Sequence, residues 1–396
     1  MKKIKYLIKY TPILYSAYFY VFSLLLRVFG CFVKTDSKMI LFNSFGGRKY
    51  DDSPRAIFEK MIMDTRFDDY KLVWAVSNPK NFDIPKRAKV VKDYSFVFFV
   101  NALKAKVWIT NSSMEHGLCF KKKSTIYINT WHGSAIKYLG EDVIEEGKSF
   151  KGKSTSKESV FYTQSQFDEY VFKRAFHIED STFKRFGLPR NDELATISRA
   201  KVDEIKEQLR LPKDKKIILY APTFREYCRN ATNEIMQEIR IDLQRWEKTM
   251  GDRYVLLVRA HYEVAKTLDF AAHNSVYNVS DYPHLNDLLI ISDVLISDYS
   301  SIFFDYSILH RPMVCFAYDI DEYTKNRGMY MDLRKELPCK IVQTNDELFS
   351  EVERVFEQYE EMCERTVEFQ KKYVSEYGSA SEKTCDYLEK MLEQIG

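Results

Sequence analysis

The chain predicts an α/β fold of two Rossmann-like domains facing a cleft, preceded by an N-terminal membrane-associating helix. Three observations lead there. Short apolar runs alternate with helix-length stretches in two successive series, the order expected of parallel sheets with crossover helices. At 396 residues the chain is longer than one hydrophobic core supports. It opens on lysines and tyrosines that run into a long, almost uncharged stretch.

That opening stretch carries Lys2, Lys3, Lys5 and Lys9 interleaved with Tyr6 and Tyr10, followed by an apolar, aromatic run from Pro12 to Val33. The run is long enough to span a bilayer, but Arg27 would then sit inside the hydrocarbon. A helix lying in the interface fits better, with lysines on anionic headgroups and tyrosines at their boundary. A signal peptide would need a small-residue cleavage site, which is not evident, and the bland alternative is a helix packed on the protein's own surface. Residues 1–37 form this segment.

From Lys38 the pattern changes. Met39 to Phe42, Lys71 to Val76, Lys89 to Val91, Val107 to Thr110 and Thr125 to Asn129 read as strands of a first domain, residues 38–205. Lys216 to Tyr220, Tyr254 to Val258, Val276 to Asn278, Val294 to Ile296 and Pro312 to Cys315 read as strands of a second, residues 206–396, which ends in a charged helical tail from Asp346. Composition agrees with globular domains, being 45% hydrophobic and 15% aromatic, and a net charge of +3 is too small to imply a nucleic-acid partner. Seven cysteines without a C-x-x-C pair suit reduced thiols and give no zinc spacing. No carboxylate-rich cluster suggests a metal.

In open parallel sheets ligands bind beyond the carboxyl ends of the strands, and the polar motifs of this chain fall there. Ile290 to Ser307 reads as strand, tight turn and helix start, so Ser297, Asp298, Ser300 and Ser301 lie where a helix leaves backbone N–H groups unpaired. Such a corner can hold phosphate, although a serine there can also simply cap the helix. Thr130-Trp131-His132-Gly133-Ser134 follows the strand ending at Asn129 and puts an imidazole, the side chain best suited to take a proton near neutral pH, on a strand-end loop. Arg259-Ala260-His261 occupies the corresponding place in the second domain. Two imidazoles at equivalent strand ends would face each other across the cleft. Tyr220 to Arg225, with Pro222 and Thr223, and Gly187 to Asp192, with Arg190, are further strand-end turns. Gly147 to Ser154 satisfies the G-x-x-x-x-G-K-[ST] pattern, but it lacks a preceding buried strand and a following helix, so it reads instead as a basic loop suited to an anionic acceptor or membrane.

Taken in combination and order, these motifs resemble the CDP-glycerol glycerophosphotransferase family, which includes teichoic-acid primases and polymerases and related capsule enzymes. The matching segments are Asn129 to Gly140, Gly187 to Asp192, Tyr220 to Arg225, Arg259 to His261, Val279 to Pro283, Ser297 to Asp305, Arg311 to Met313 and Tyr318 to Tyr323. The resemblance implies a glycosyltransferase-B type arrangement, with an acceptor domain first and a nucleotide-donor domain second. It implies CDP-glycerol as donor substrate with no tightly bound cofactor, and the basic, aromatic N-terminus, which places the chain at the cytoplasmic face of the cell membrane, predicts a lipid-linked acceptor hydroxyl. By the same resemblance His132 and His261 are catalytic. The donor would lie against Trp131, His132, Gly133, Ser134, Ala135, Arg190, Pro222, Thr223, Arg259, Ala260, His261, Ser300, Ser301 and Asp305. The family usually carries Thr-Pro where this chain has Ser134-Ala135, which bears on how the polyol fits. A CDP-ribitol transferase, or a glycosyltransferase or epimerase of the same architecture, would share much of this pattern.

Overall fold

The computed structural model describes residues 11–143, 158–223, 225, 239–260 and 270–394. The chain divides into two compact units, one drawn from Met1–His132, Ile144–Asp192 and Glu376–Gly396, the other from Gly133–Val143 and Glu193–Ser375.

The first unit is built on seven parallel strands: β1 (Asp36–Asn43), β2 (Lys71–Val76), β3 (Lys89–Lys92), β4 (Ala105–Thr110), β5 (Ile126–Asn129), β6 (Val160–Thr163) and β7 (Phe183–Arg185), in the order β3-β2-β1-β4-β5-β6-β7. The apolar run Met39 to Phe42 is buried throughout because β1 is covered on both faces. Successive side chains alternate between those faces. Ile40 and Phe42 join Trp74, Ile109 and Phe58 on one side, where Cys385 and Leu388 of helix Ala380–Glu393 complete the packing. Leu41 joins Val73, Trp108 and Phe98 on the other. The carboxylate of Asp192, from the Gly187 to Asp192 motif, accepts the N–H groups of Ala380 and Ser381 at 2.8 and 2.7 Å and so caps that last helix.

Helix Pro12–Phe32 lies over the second face. Leu26 and Phe29 pack on its core, Ser23 accepts the Cys119 N–H at 2.9 Å, and Arg27 donates to the Cys119 carbonyl at 2.9 Å. Its opposite stripe, Tyr20, Val21, Leu24, Leu25, Val28 and Phe32, is apolar and exposed. By length and composition alone the helix is also long and apolar enough to cross a membrane.

The second unit carries six parallel strands: β8 (Lys216–Tyr220), β9 (Tyr254–Val258), β10 (Val276–Asn278), β11 (Val294–Ser297), β12 (Met313–Phe316) and β13 (Ile341–Val342), in the order β10-β9-β8-β11-β12-β13. Leu348 and Val352 of helix Asn345–Glu357 and Trp246 cover one side of it. Arg311 donates to the carbonyls of Ile290 and Ser292, both at 2.6 Å, which ties down the end of helix Leu285–Ile291.

The ten expected strands are present, and β6, β7 and β13 were not anticipated. Those three have four, three and two residues. In each sheet the chain departs in opposite directions from the two central strands, β1 and β4 or β8 and β11, so each carries a topological switch point at its carboxyl edge.

Candidate active site

In the first unit the switch point is tied shut by side chains from both strands. After β1, Phe45, Gly46 and Gly47 all take positive φ, at 48, 62 and 75°. Their N–H groups are held by Asn111 Oδ1 (2.8 Å), Ser112 Oγ (3.2 Å) and Asn43 Oδ1 (3.2 Å) respectively. A Cβ at Gly47 would lie 2.7 Å from Asp93 Oδ2, so the left-handed turn and the close approach both call for glycine.

His132 sits against this corner. Its Nδ1 is 2.7 Å from the Asn111 carbonyl oxygen. A carbonyl can only accept, so Nδ1 carries the proton and Nε2 holds the lone pair. The ring is stacked on Trp131 at 4.2 Å and lies 5.7 Å from Phe45. Trp131, at φ 52°, packs in turn on Phe172 and Phe176, which makes it a buttress for the imidazole. Burial pushes the His132 pKa below the ordinary histidine value, the Asn111 bond and the Asp52 carboxylate act against that, and the charges of Arg190 and Arg48 act with it. The result is an imidazole that stays neutral, and basic at Nε2, around neutral pH.

Arg190 donates to the His132 carbonyl at 2.9 Å and pairs with Asp52 at 2.7 Å, with Asp52 itself nearly buried. Its guanidinium is thus engaged in holding the histidine loop. Gly133, Ser134 and Ala135 are buried, and the chain passes from the first unit to the second between His132 and Gly133.

The second unit has a corresponding corner between β8 and β11. The Thr223 N–H and the Tyr299 N–H both donate to Asp298 Oδ1, at 2.8 and 2.7 Å, which joins the two motifs across the switch point. Arg225 locks the join. It is 1% exposed, donates to Asp298 Oδ2 at 2.8 Å and to the Thr223 carbonyl at 2.6 Å, and forks onto Asp319 with two bonds of 2.9 Å. The rings of Tyr299, Tyr318 and Tyr323 lie 4.8, 5.2 and 5.0 Å from its guanidinium carbon. Pro222 and Thr223 are half-buried beside this lock.

Ser300 and Ser301 lead into the short helix Ile302–Ser307, whose Asp305 is buried. Ser301 makes no capping bond, and Ser300 Oγ accepts the Ile302 N–H at 3.3 Å. Arg259 donates to the Tyr282 carbonyl at 2.6 Å, and the Ala260 N–H donates to Ser280 Oγ at 3.1 Å, so Val279 to Pro283 is bound to the end of β9. His261 and the basic loop Gly147 to Ser154 lie outside the described residues. Each unit therefore gathers its own motifs at one sheet edge, His132 with Trp131 and Arg190 in the first, Pro222 and Thr223 with Arg259, Ala260, Ser300, Ser301 and Asp305 along the strand ends of the second.

The sequence reading missed Asn111, Asp52 and Arg225 as parts of these corners. Asn111 directly follows the end of β4, and that strand-end position was a usable signal. Arg225 closes the Tyr220 to Arg225 motif, but its carboxylate partners lie 73 and 94 residues away, so its role as a lock was not legible there.

Parallel sheets whose switch points carry such polar corners, one of them presenting an imidazole with Nε2 unprotonated, place the chain among α/β proteins with candidate sites at the carboxyl ends of their strands. The family model for CDP-Glycerol:Poly(glycerophosphate) glycerophosphotransferase matches residues 25–390, and the chain belongs to that family. It is 33% identical over 369 residues to a teichoic acid glycerol-phosphate transferase of Staphylococcus aureus, covering 89% of this chain and 93% of that one. It is 34% identical over 373 residues to a teichoic acid poly(glycerol phosphate) polymerase of Staphylococcus epidermidis; that alignment takes in 90% of this chain but only 51% of the polymerase, so the chain spans about half its length. A solved structure of the wall teichoic acid polymerase TagF superposes with a TM-score of 0.83 at 33% identity, covering 95% of this chain and 93% of that one. The MnaA-UDP co-structure of S. aureus, at 11% identity and TM-score 0.55, covers 90% of this chain and 97% of its own and shares the fold alone.

Proposed function

We propose that this chain transfers glycerol phosphate from CDP-glycerol to a hydroxyl of a lipid-linked acceptor in teichoic-acid or capsule-type polymer synthesis. Family membership supports the donor and the reaction class. The observation that carries the mechanism is the His132 tautomer, with Nδ1–H spent on the Asn111 carbonyl and Nε2 left as a base. The acceptor hydroxyl gives its proton to Nε2 as its oxygen bonds to the phosphorus next to glycerol, the phosphoanhydride bond breaks, and CMP leaves. In this reading the two units form a glycosyltransferase-B type pair facing a cleft. The second supplies Thr223, Ser300, Ser301 and Arg259 to the diphosphate, and His261 stabilises or protonates the departing phosphate.

In this reading the enzyme sits peripherally on the cytoplasmic face of the membrane, and the exposed apolar stripe of helix Pro12–Phe32 supports the membrane seat. Its other stripe is committed to the first unit through Ser23, Arg27 and Phe29, which favours lying in the interface over spanning.

The test is to incubate purified protein with CDP-glycerol and with CDP-ribitol side by side and follow CMP. His132→Ala should lower turnover by about 10² to 10⁴ with the fold retained. Near-normal turnover in that variant would remove His132 as the base, and release of CMP from CDP-ribitol alone would replace glycerol with ribitol.

A further inference from the structure

The turn after β1 presents Arg48 and Lys49, both exposed, at the same switch point as His132. Among the described residues neither makes an ion pair, in contrast to Arg190, which Asp52 neutralises a few residues further along the chain. Arg48 donates Nε–H to the Phe45 carbonyl at 2.8 Å, which orients the guanidinium and, among the described residues, leaves its two terminal nitrogens without a hydrogen-bond partner. The Lys49 ammonium lies 5.5 Å from the centre of the Phe45 ring, and that ring lies 5.7 Å from the His132 imidazole. The charge of Arg48 also acts on His132.

Solvated surface cations need no special backbone, yet this pair is carried by three consecutive left-handed residues, one of them a phenylalanine. Each N–H of that turn is fastened by a side chain from β1 or the segment after β4. Beside it the fully buried Asn111, already bonded through Oδ1 and its carbonyl, keeps an Nδ2 donor with no partner. A rigid, uncompensated cationic turn with a spare buried donor behind it is the chemistry of a phosphate site.

We propose that Arg48 and Lys49 hold a phosphate of the acceptor, setting the neighbouring polyol hydroxyl at His132 Nε2. The inference rests on the transferase reading above and gives it an acceptor subsite on the first unit. The acceptor class it selects is a polyol carrying a phosphodiester next to the attacking hydroxyl. The same cations could meet phosphate on a lipid headgroup, so the experiment separates the two sources.

Transfer to synthetic di(glycerol phosphate) is measured with the full chain, the variants Arg48→Gln, Lys49→Gln and both together, and Arg48→Lys. The double variant should raise the KM for di(glycerol phosphate) about tenfold or more, the scale of one or two charge-assisted contacts. Its KM for CDP-glycerol should move less than about twofold and Arg48→Lys should recover part of the loss, since a lysine keeps the charge without the fork. Calorimetric binding of the same probe should weaken by the same factor, a reading that does not depend on turnover. An unchanged acceptor KM overturns the proposal, as does an equal rise in the CDP-glycerol KM. Loss of binding to phosphatidylglycerol vesicles with the acceptor KM unchanged would overturn it in favour of a headgroup. If the wild-type protein releases no CMP from CDP-glycerol, the transferase reading fails, and unaltered probe binding in the double variant then sinks the subsite separately.

Discussion

Replacing Arg225 by methionine tests whether the second corner is held by one buried cation. The guanidinium is 1% exposed and bonded to Asp298, itself 2% exposed, and to Asp319, 15% exposed. Methionine fills much of the volume but leaves two carboxylates in low dielectric without their counter-charge. Removing one partner of a buried pair costs about 3 to 5 kcal/mol, a large share of the roughly 5 to 15 kcal/mol that holds a domain folded. For a unit of about 150–250 residues each kcal/mol moves the melting temperature by about 2 to 4 °C, so the midpoint should fall by about 6 to 20 °C. Differential scanning calorimetry reads this directly, and kcat/KM for CDP-glycerol should fall as well because the lost side chain braces both Thr223 and Asp298, which are otherwise joined by a single bond. Arg225→Met with Asp298→Asn should regain part of the loss, since one stranded charge is removed with its partner. A midpoint shift under about 2 °C would refute the reasoning, because it would mean the carboxylates do not depend on the cation.

The exposed stripe of the first helix should be separable from its packed one. Val21→Glu, Leu24→Glu and Leu25→Glu together should move the protein from the membrane to the soluble fraction while leaving its melting temperature within about 6 °C, because surface changes seldom exceed about 0.5 kcal/mol each and each kcal/mol moves the midpoint by about 2 to 4 °C. Retention at the membrane in fractionation would contradict the interfacial seat. Deleting the whole helix is a poorer experiment, since Leu26 and Phe29 cover the core of the first unit. Glu115 offers a pH test. Burial pushes its carboxyl up to about 7 against the two backbone N–H groups it accepts. The folded state then binds a proton the unfolded chain gives up, so this contribution to stability is present below about pH 4.5 and is lost as pH rises through about 7. Glu115→Gln should flatten the fall in melting temperature between pH 5 and pH 8, and an unchanged slope would show that another group is responsible.

Much of the fold was legible because strand and helix signals are local. The fully apolar runs Met39 to Phe42 and Val294 to Ile296 suit strands buried on both faces, and both lie at the centre of their sheets. The polar motifs after them could be assigned to strand ends without coordinates, since a chain leaving a buried strand must turn in solvent with Gly, Ser, Asn or Asp. The side-chain roles at those ends were far less legible. Arg190 reads as a lone cation in a Pro turn, yet its charge is matched by Asp52, 138 residues earlier, a partner that exists only once helix Asp52–Ile62 is packed.

The sequence by itself determined the α/β class, the doubled series of strands, the family and the loops on which chemistry-bearing residues sit. The class, the strands and the loops follow from periodicity and turn chemistry within about ten residues, and the family from the resemblance of the motifs taken in combination and order. Tertiary structure alone decided the tautomer of His132, the lock of Arg225 on Asp298 and Asp319, the cap that Asp192 sets on helix Ala380–Glu393, and the contrast between a neutralised Arg190 and an uncompensated Arg48. A hydrogen bond or an ion pair between distant residues is fixed by where packing brings two strand ends together, and that sum over the whole core is written in no single segment.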